Sequence, residues 1–226
     1  MEVVELVVAD LKANPIGYFA AGFGYFALVM LVIAVSLAVL GLGMAPGLVL
    51  ENDTILAIGG GFGMLVYTGG ILLFSFVAFP MMNASLIRNL DWKNEDGSVG
   101  LTALVNRTRP GGLRIAGFYM LSQLLILMGS TCLYIPGIIA MALTTFAMPI
   151  VVLEDATFSE ALGKGWAHMT KDPAFHFAVW GLLIVAIMML YVTFVGLFLI
   201  FPVLGAWQYY TYRVAFGEDG AMAWEP

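Results

Sequence analysis

IGYFAAGFGYFALVMLVIAVSLAVLGLGMAPGLVL, residues 16–50, holds no Asp, Glu, Lys or Arg, and after the acidic break at Glu51 and Asp53 the chain is again uncharged from Ile55 to Ile87. A bilayer-crossing helix needs roughly 20 mainly apolar residues and satisfies its backbone polar groups within itself. Each of these two runs supplies one crossing with some excess. Two further uncharged blocks, Ile115 to Leu153 and Ala174 to Tyr212, are each long enough for a pair of crossings joined by a tight turn. The reading is an all-α polytopic membrane bundle of six transmembrane helices arranged as three hairpins. The spans fall at about 16–40, 55–80, 113–133, 137–153, 173–195 and 197–213.

With 226 residues, 62% hydrophobic and 11% charged, the composition excludes a water-soluble domain. The acidic residues behind the formal charge of −6 are scattered through loops and tails, so no nucleic-acid surface is implied. The single cysteine, Cys132, excludes an intramolecular disulfide and a multi-cysteine metal site. Glu2, Glu5 and Asp10 stand where a secretory signal would be basic, so the first span is expected to be retained.

The basic residues orient the bundle. With six spans, Lys12, Arg88, Lys93, Arg107, Arg109, Arg114, Lys164, Lys171 and Arg213 share one side, and Glu51 and Asp53 are alone on the other. The positive-inside rule makes the basic side cytoplasmic, with both termini inside.

Turn residues and small residues divide the runs. Gly41, Gly43, Pro46 and Gly47 predict the loop after the first span, and Tyr134-Ile135-Pro136-Gly137 a tight turn after the third. The second span is rich in glycine, and Gly59, Gly63, Gly69 and Gly70 are the candidates for close helix packing, because small residues let backbones approach in lipid.

A gapless internal repeat aligns the segment from Glu2 through Asn14-Pro15 to Ala20 with that from Glu160 through Asp172-Pro173 to Ala178. Asn14 and Asp172 suit the N-cap and Pro15 and Pro173 the first helical position. Each hairpin is thus expected to follow a short cytoplasmic interfacial helix, at about 2–13, 98–108 and 157–171. In the last of these, Thr157 and Glu160 have capping-box spacing, and Phe158, Ala161, Leu162, Gly165, Trp166 and Met169 form one apolar stripe, with Glu160, Lys164, His168 and Lys171 facing away. Phe158, Leu162, Trp166, Met169, Lys164 and Lys171 form a candidate lipid or partner surface, although a structural strap closing the bundle's end is the preferred reading.

Chemistry is thinly represented. His168, Asp172 and His176 are four apart, but Pro173 interrupts the helix that would align them, so no metal site is assigned. Glu154 and Asp155 form a candidate acidic pair for a cation or basic partner, set against a solvated span terminus. Ser75, Asn83, Ser122, Gln123, Thr144, Thr145 and Gln208 are the intramembrane polar groups, read as interhelical packing contacts. An ion-coupled transporter usually carries an ionisable group at mid-depth, and none is expected here. A passive pore or a carrier of apolar molecules stays open, with Pro80, Pro136, Pro149 and Pro202 as possible helix breaks. Scattered methionines such as Met81, Met82, Met188 and Met189 read as core filling. No catalytic constellation, cofactor or metal is assigned.

The segment from Tyr134-Ile135-Pro136-Gly137 through Pro149 to Glu154-Asp155, followed by Thr157 to Leu162, Gly165-Trp166 and Asp172-Pro173, resembles a pattern in uncharacterised prokaryotic six-span membrane proteins. The same pattern is similar to the membrane domain of some glycerophosphodiester phosphodiesterases. The resemblance covers about the C-terminal half, with Asn14-Pro15 as an N-terminal echo, and implies a six-span fold and no catalytic residues. The expectation is therefore a non-catalytic accessory or scaffolding subunit, or a lipid-contacting protein. Its partners would be membrane lipids, a homo-oligomer or a larger membrane complex. The alternative is a small transporter or channel, and a membrane-embedded enzyme ranks third.

Overall fold

The computed structural model describes residues 2–96 and 111–217, which contain helices and no strand. The expected interfacial helix at 98–108 lies outside the described residues. In chain order the helices are α1 (Glu2–Ala13), α2 (Pro15–Val49), α3 (Asp53–Leu73), a π-helical turn (Phe74–Ala78), α4 (Phe79–Asp96), α5 (Gly112–Leu133), α6 (Ile135–Leu153), α7 (Phe158–Lys171), α8 (Pro173–Tyr191) and α9 (Phe194–Phe216). Five stretches are long and apolar enough to cross a membrane: Pro15–Val49, Asp53–Asp91, Gly112–Thr131, Ile135–Leu153 and Pro173–Tyr191. The chain is a multi-pass helical membrane protein. In α9, the second half carries Trp207, Gln208, Tyr209 and Tyr212, all buried.

Local chemistry sets the helix starts. Asn14 Oδ1 accepts from the Gly17 amide at 3.1 Å with Pro15 next in the chain, and Asp172 Oδ1 accepts from the Phe175 amide at 3.0 Å with Pro173 next. In each case the side chain satisfies a helix donor that has no internal partner, and proline occupies a position where no amide is needed.

Two expected boundaries move. Residues 41–50 are not the predicted loop, because α2 runs on to Val49 through Pro46, and only Leu50, Glu51 and Asn52 turn the chain. The second span, expected to reach about Pro80 or beyond, continues past the proline. The Phe79 amide bonds to the Phe74 carbonyl in π register, so the helix absorbs the proline and continues as α4.

Consecutive helices pack together as α2 on α3, α5 on α6 and α8 on α9. Helix α9 is the hub, touching α1, α2, α4, α6 and α8, and α6 is the most buried of the long apolar helices. A ring cluster fixes the junction of α2, α4 and α9: Tyr25 stacks on Phe201 at 4.2 Å between centroids, and Phe79 meets both edge-on. Beyond this junction α3 leans on α2 and on little else, with Gly63 its one buried residue. Helices α2 and α3 thus form an arm reaching away from the bundle to the turn at Glu51.

Candidate functional site at the basic end

The arm is held by its glycines. A Cβ on Gly59 would lie 1.8 Å from the Gly43 carbonyl oxygen, one on Gly47 2.3 Å from the Leu56 backbone, and one on Gly63 2.6 Å from Leu40 Cα. A Cβ on Gly70 would lie 2.9 Å from Ser36 Oγ, whereas one on Gly69 would meet open space. Of the four glycines singled out in the sequence, Gly59, Gly63 and Gly70 meet α2 and Gly69 does not.

At the opposite end from the Glu51 turn, α7 lies across α6 and joins it by ionic contacts. Thr157 and Glu160 form the capping box: the Glu160 carboxylate accepts from the Thr157 amide and hydroxyl at 2.7 Å each, and these bonds hold its carboxyl below the usual range. Ala161, Gly165 and Met169 are buried, Leu162 is half-buried, and the Phe158 ring sits 5.5 Å from Phe118. Trp166 is half exposed and Lys171 is exposed. The six candidate surface residues therefore do not form one free surface.

Glu154 and Asp155 do not act as a pair. Glu154 accepts from the Tyr212 hydroxyl at 3.0 Å and from the Lys164 ammonium, joining α9 and α7 to the end of α6. Asp155 points to the other side, where it meets Arg114 at 2.5 Å and Arg88 at 3.4 Å. The Arg114 guanidinium also donates to the Asp155 carbonyl, and Arg88 donates to the Val152 carbonyl at 3.1 Å. Asp155 takes φ +53°, a turn conformation that swings its carboxylate away from that of Glu154.

His168 turns inward, contrary to the face expected for it. Its Nδ1 is 2.7 Å from His176 Nε2 and its Nε2 is 3.1 Å from the Ala215 carbonyl. A carbonyl only accepts, so His168 Nε2 carries the proton toward Ala215, and His176 Nε2–H donates to His168 Nδ1. Burial lowers the His168 pKa, against the Ala215 bond and Asp172, which favour its charged form. Among the described residues no group of three or more His, Cys, Asp or Glu gathers as metal ligands.

The sequence reading missed two arrangements. In the first, buried Asp10 of α1 accepts from the Tyr18 hydroxyl at 2.6 Å and the Tyr210 hydroxyl at 2.9 Å, joining α1, α2 and α9. The second is a cavity of about 180 Å³ between α4, α5, α6 and α9. Six of the seven intramembrane polar residues line it: Asn83, Ser122, Gln123, Thr144, Thr145 and Gln208. Ser122-Gln123 and Thr144-Thr145 are doublets near the middle of consecutive helices, and this spacing was a readable signal, because a hairpin brings two midpoints to one level.

The fold and charge placement define the class as multi-pass helical membrane protein. Comparisons with family models, curated proteins and solved structures give no match for the chain.

Proposed function

We propose that this is a six-span, non-catalytic protein of the prokaryotic inner membrane that acts as an accessory or scaffolding subunit through the α2–α3 arm. The observation that carries the reading is the arm itself. It is apolar, and Ile58, Phe62 and Leu65 on α3 are 63–74% exposed, with no neighbouring helix among the described residues covering them. Lipid alone satisfies such a face, but a second helical surface gains van der Waals contact there that lipid chains match less well. The paired charges at the opposite end support a structural role for the strap. They also support the counting of α9 as a sixth span, because α9 must return the chain to the same polar end for Tyr212 to meet Glu154. Kinship with the prokaryotic six-span proteins resembling phosphodiesterase membrane domains belongs to the same proposal and rests on the residues from Tyr134 to Pro173.

The test is purification from native membranes. The wild-type chain is expected to carry a stable partner, either a second copy or another subunit, and Phe62→Ala/Leu65→Ala is expected to lose it while keeping its helicity. Solute-dependent flux through proteoliposomes holding the chain alone would sink the subunit reading. That outcome favours the second reading, a small transporter or channel, for which one observation speaks: the cavity is bordered by Phe79, between the π turn and Pro80, and by Met148 and Leu204, next to Pro149 and close to Pro202.

A further inference from the structure

We infer that the cavity between α4, α5, α6 and α9 is a binding site for a small uncharged molecule that donates hydrogen bonds beside an apolar face. Its walls carry two chemistries. Asn83, Ser122, Gln123, Thr144, Thr145 and Gln208 supply uncharged polar atoms, while aromatic and aliphatic side chains, among them Phe79 and Met148, supply the rest.

The polar atoms are specific in what they lack. Asn83 Nδ2 donates to Gln208 Oε1 at 2.7 Å, but Asn83 Oδ1 and Ser122 Oγ are buried and have no hydrogen-bond partner among the described residues. Asn83 and Ser122 are each 3% exposed. A buried polar atom without a partner carries a desolvation cost, and in a native protein it calls for water, an ion or a ligand. Thr144 and Thr145 both spend their hydroxyl hydrogens on the Met141 carbonyl, at 3.2 and 2.8 Å, so their oxygens offer lone pairs to anything else that enters. The free acceptors, Asn83 Oδ1 and the two threonine oxygens, need a donor, and the Ser122 hydroxyl can accept as well as donate, so the complement is a group such as a carboxamide or a hydroxyl.

Charge narrows the class. Among the described residues no carboxylate, ammonium, guanidinium or imidazole lines the cavity, and it lies near the midpoints of α5 and α6. An ion there would have no counter-charge in a medium of low dielectric, whereas a neutral amide loses little if its hydrogens are accepted. Size narrows it further. A cavity of this order accommodates a molecule of about benzene size or slightly larger. The π turn is a second pointer, because it places Phe79 at the wall, and such turns recur at functional sites.

The site holds whether the chain works as a subunit or as a carrier, since binding requires no flux. The test uses the full chain in detergent micelles and saturation-transfer NMR with three probes: benzamide, its near-isostere benzoate, and methyl benzoate, which is one methyl group larger than benzoate. Benzamide is expected to show transfer above protein-free micelles, with benzoate and methyl benzoate at background. Ser122→Ala removes a hydroxyl that has no partner among the described residues, so it is expected to keep the fold while weakening benzamide about tenfold, the equivalent of one good hydrogen bond. Ser122→Leu, which fills the space, is expected to abolish transfer. Benzamide at background with the wild type overturns the site, as does equal transfer from benzoate or methyl benzoate. Unchanged binding in Ser122→Ala overturns it too, and if Ser122→Leu loses its helicity the Ala variant decides alone.

Discussion

Asp10 shows how a single residue ties three helices. Its carboxylate is 6% exposed and accepts phenol hydrogens from α2 and α9. Hydrogen bonds to a charged group contribute about 1.5–3 kcal/mol each, and deleting the acceptor strands both buried phenols. Asp10→Ala is therefore expected to cost about 3 kcal/mol and Tyr18→Phe about half of that, read from unfolding in mixed micelles. The sequence marked Asp10 only as an acid near the N-terminus, because its role depends on tyrosines 8 and 200 positions away. His168 makes a pH prediction. Unfolded, it titrates near its ordinary 6.5, and folded it titrates lower because burial opposes the charge. As pH falls below about 6.5 the unfolded chain takes up the proton first, so stability falls with acid until the folded value is passed. Protonation at Nδ1 would also turn a second N–H toward His176 Nε2, 2.7 Å away, and force His176 into the tautomer whose Nδ1 has no partner among the described residues. Melting between pH 7.5 and 5.5 checks this, and His168→Gln is expected to flatten that part of the profile.

At the scale of the element, legibility follows the range of the forces involved. The caps at Asn14, Thr157 and Asp172 were readable because each depends on a side chain and an amide three residues on. The extent of α2 was not. Gly41, Gly43, Pro46 and Gly47 have the composition of a loop, and whether they stay helical is decided by α3, against which Gly43 and Gly47 pack. Pro46 lacks an amide, but its carbonyl still accepts from Leu50 at 3.0 Å, so the helix closes beyond it. The arm therefore predicts opposite results from similar substitutions. Gly59→Ala places a methyl group against the backbone carbonyl of Gly43, which cannot rotate away, and is expected to separate the hairpin. Gly61→Ala meets open space and gains helix propensity of up to about 1 kcal/mol. Thermal unfolding in mixed micelles, followed by circular dichroism, reads both: Gly59→Ala is expected to lower the midpoint, and Gly61→Ala to leave it unchanged or raise it slightly.

For the whole molecule, the uncharged runs made a helical membrane protein legible, while the cavity and the hub position of α9 emerge only when helices from both halves meet. The same charge pattern argues the orientation. Arg88, Arg114, Lys164 and Arg213 converge on the end of the bundle that holds Glu154 and Asp155, and Glu51 and Asp53 stand at the tip of the arm. Helix α2 has 35 residues, a length of about 52 Å, against a hydrocarbon core of about 30 Å. Even at a tilt of about 40° it spans roughly 40 Å, so an arm rooted at the basic end lifts its tip clear of the hydrocarbon. If the basic end is cytoplasmic, as the positive-inside rule requires, the tip is outside. In intact cells, with Cys132→Ala as background, Asn52→Cys is expected to react with a membrane-impermeant maleimide and Lys164→Cys only after permeabilisation. Labelling of Lys164→Cys from outside overturns the orientation, and no labelling of Asn52→Cys from either side means that the arm lies within the membrane plane and does not cross it.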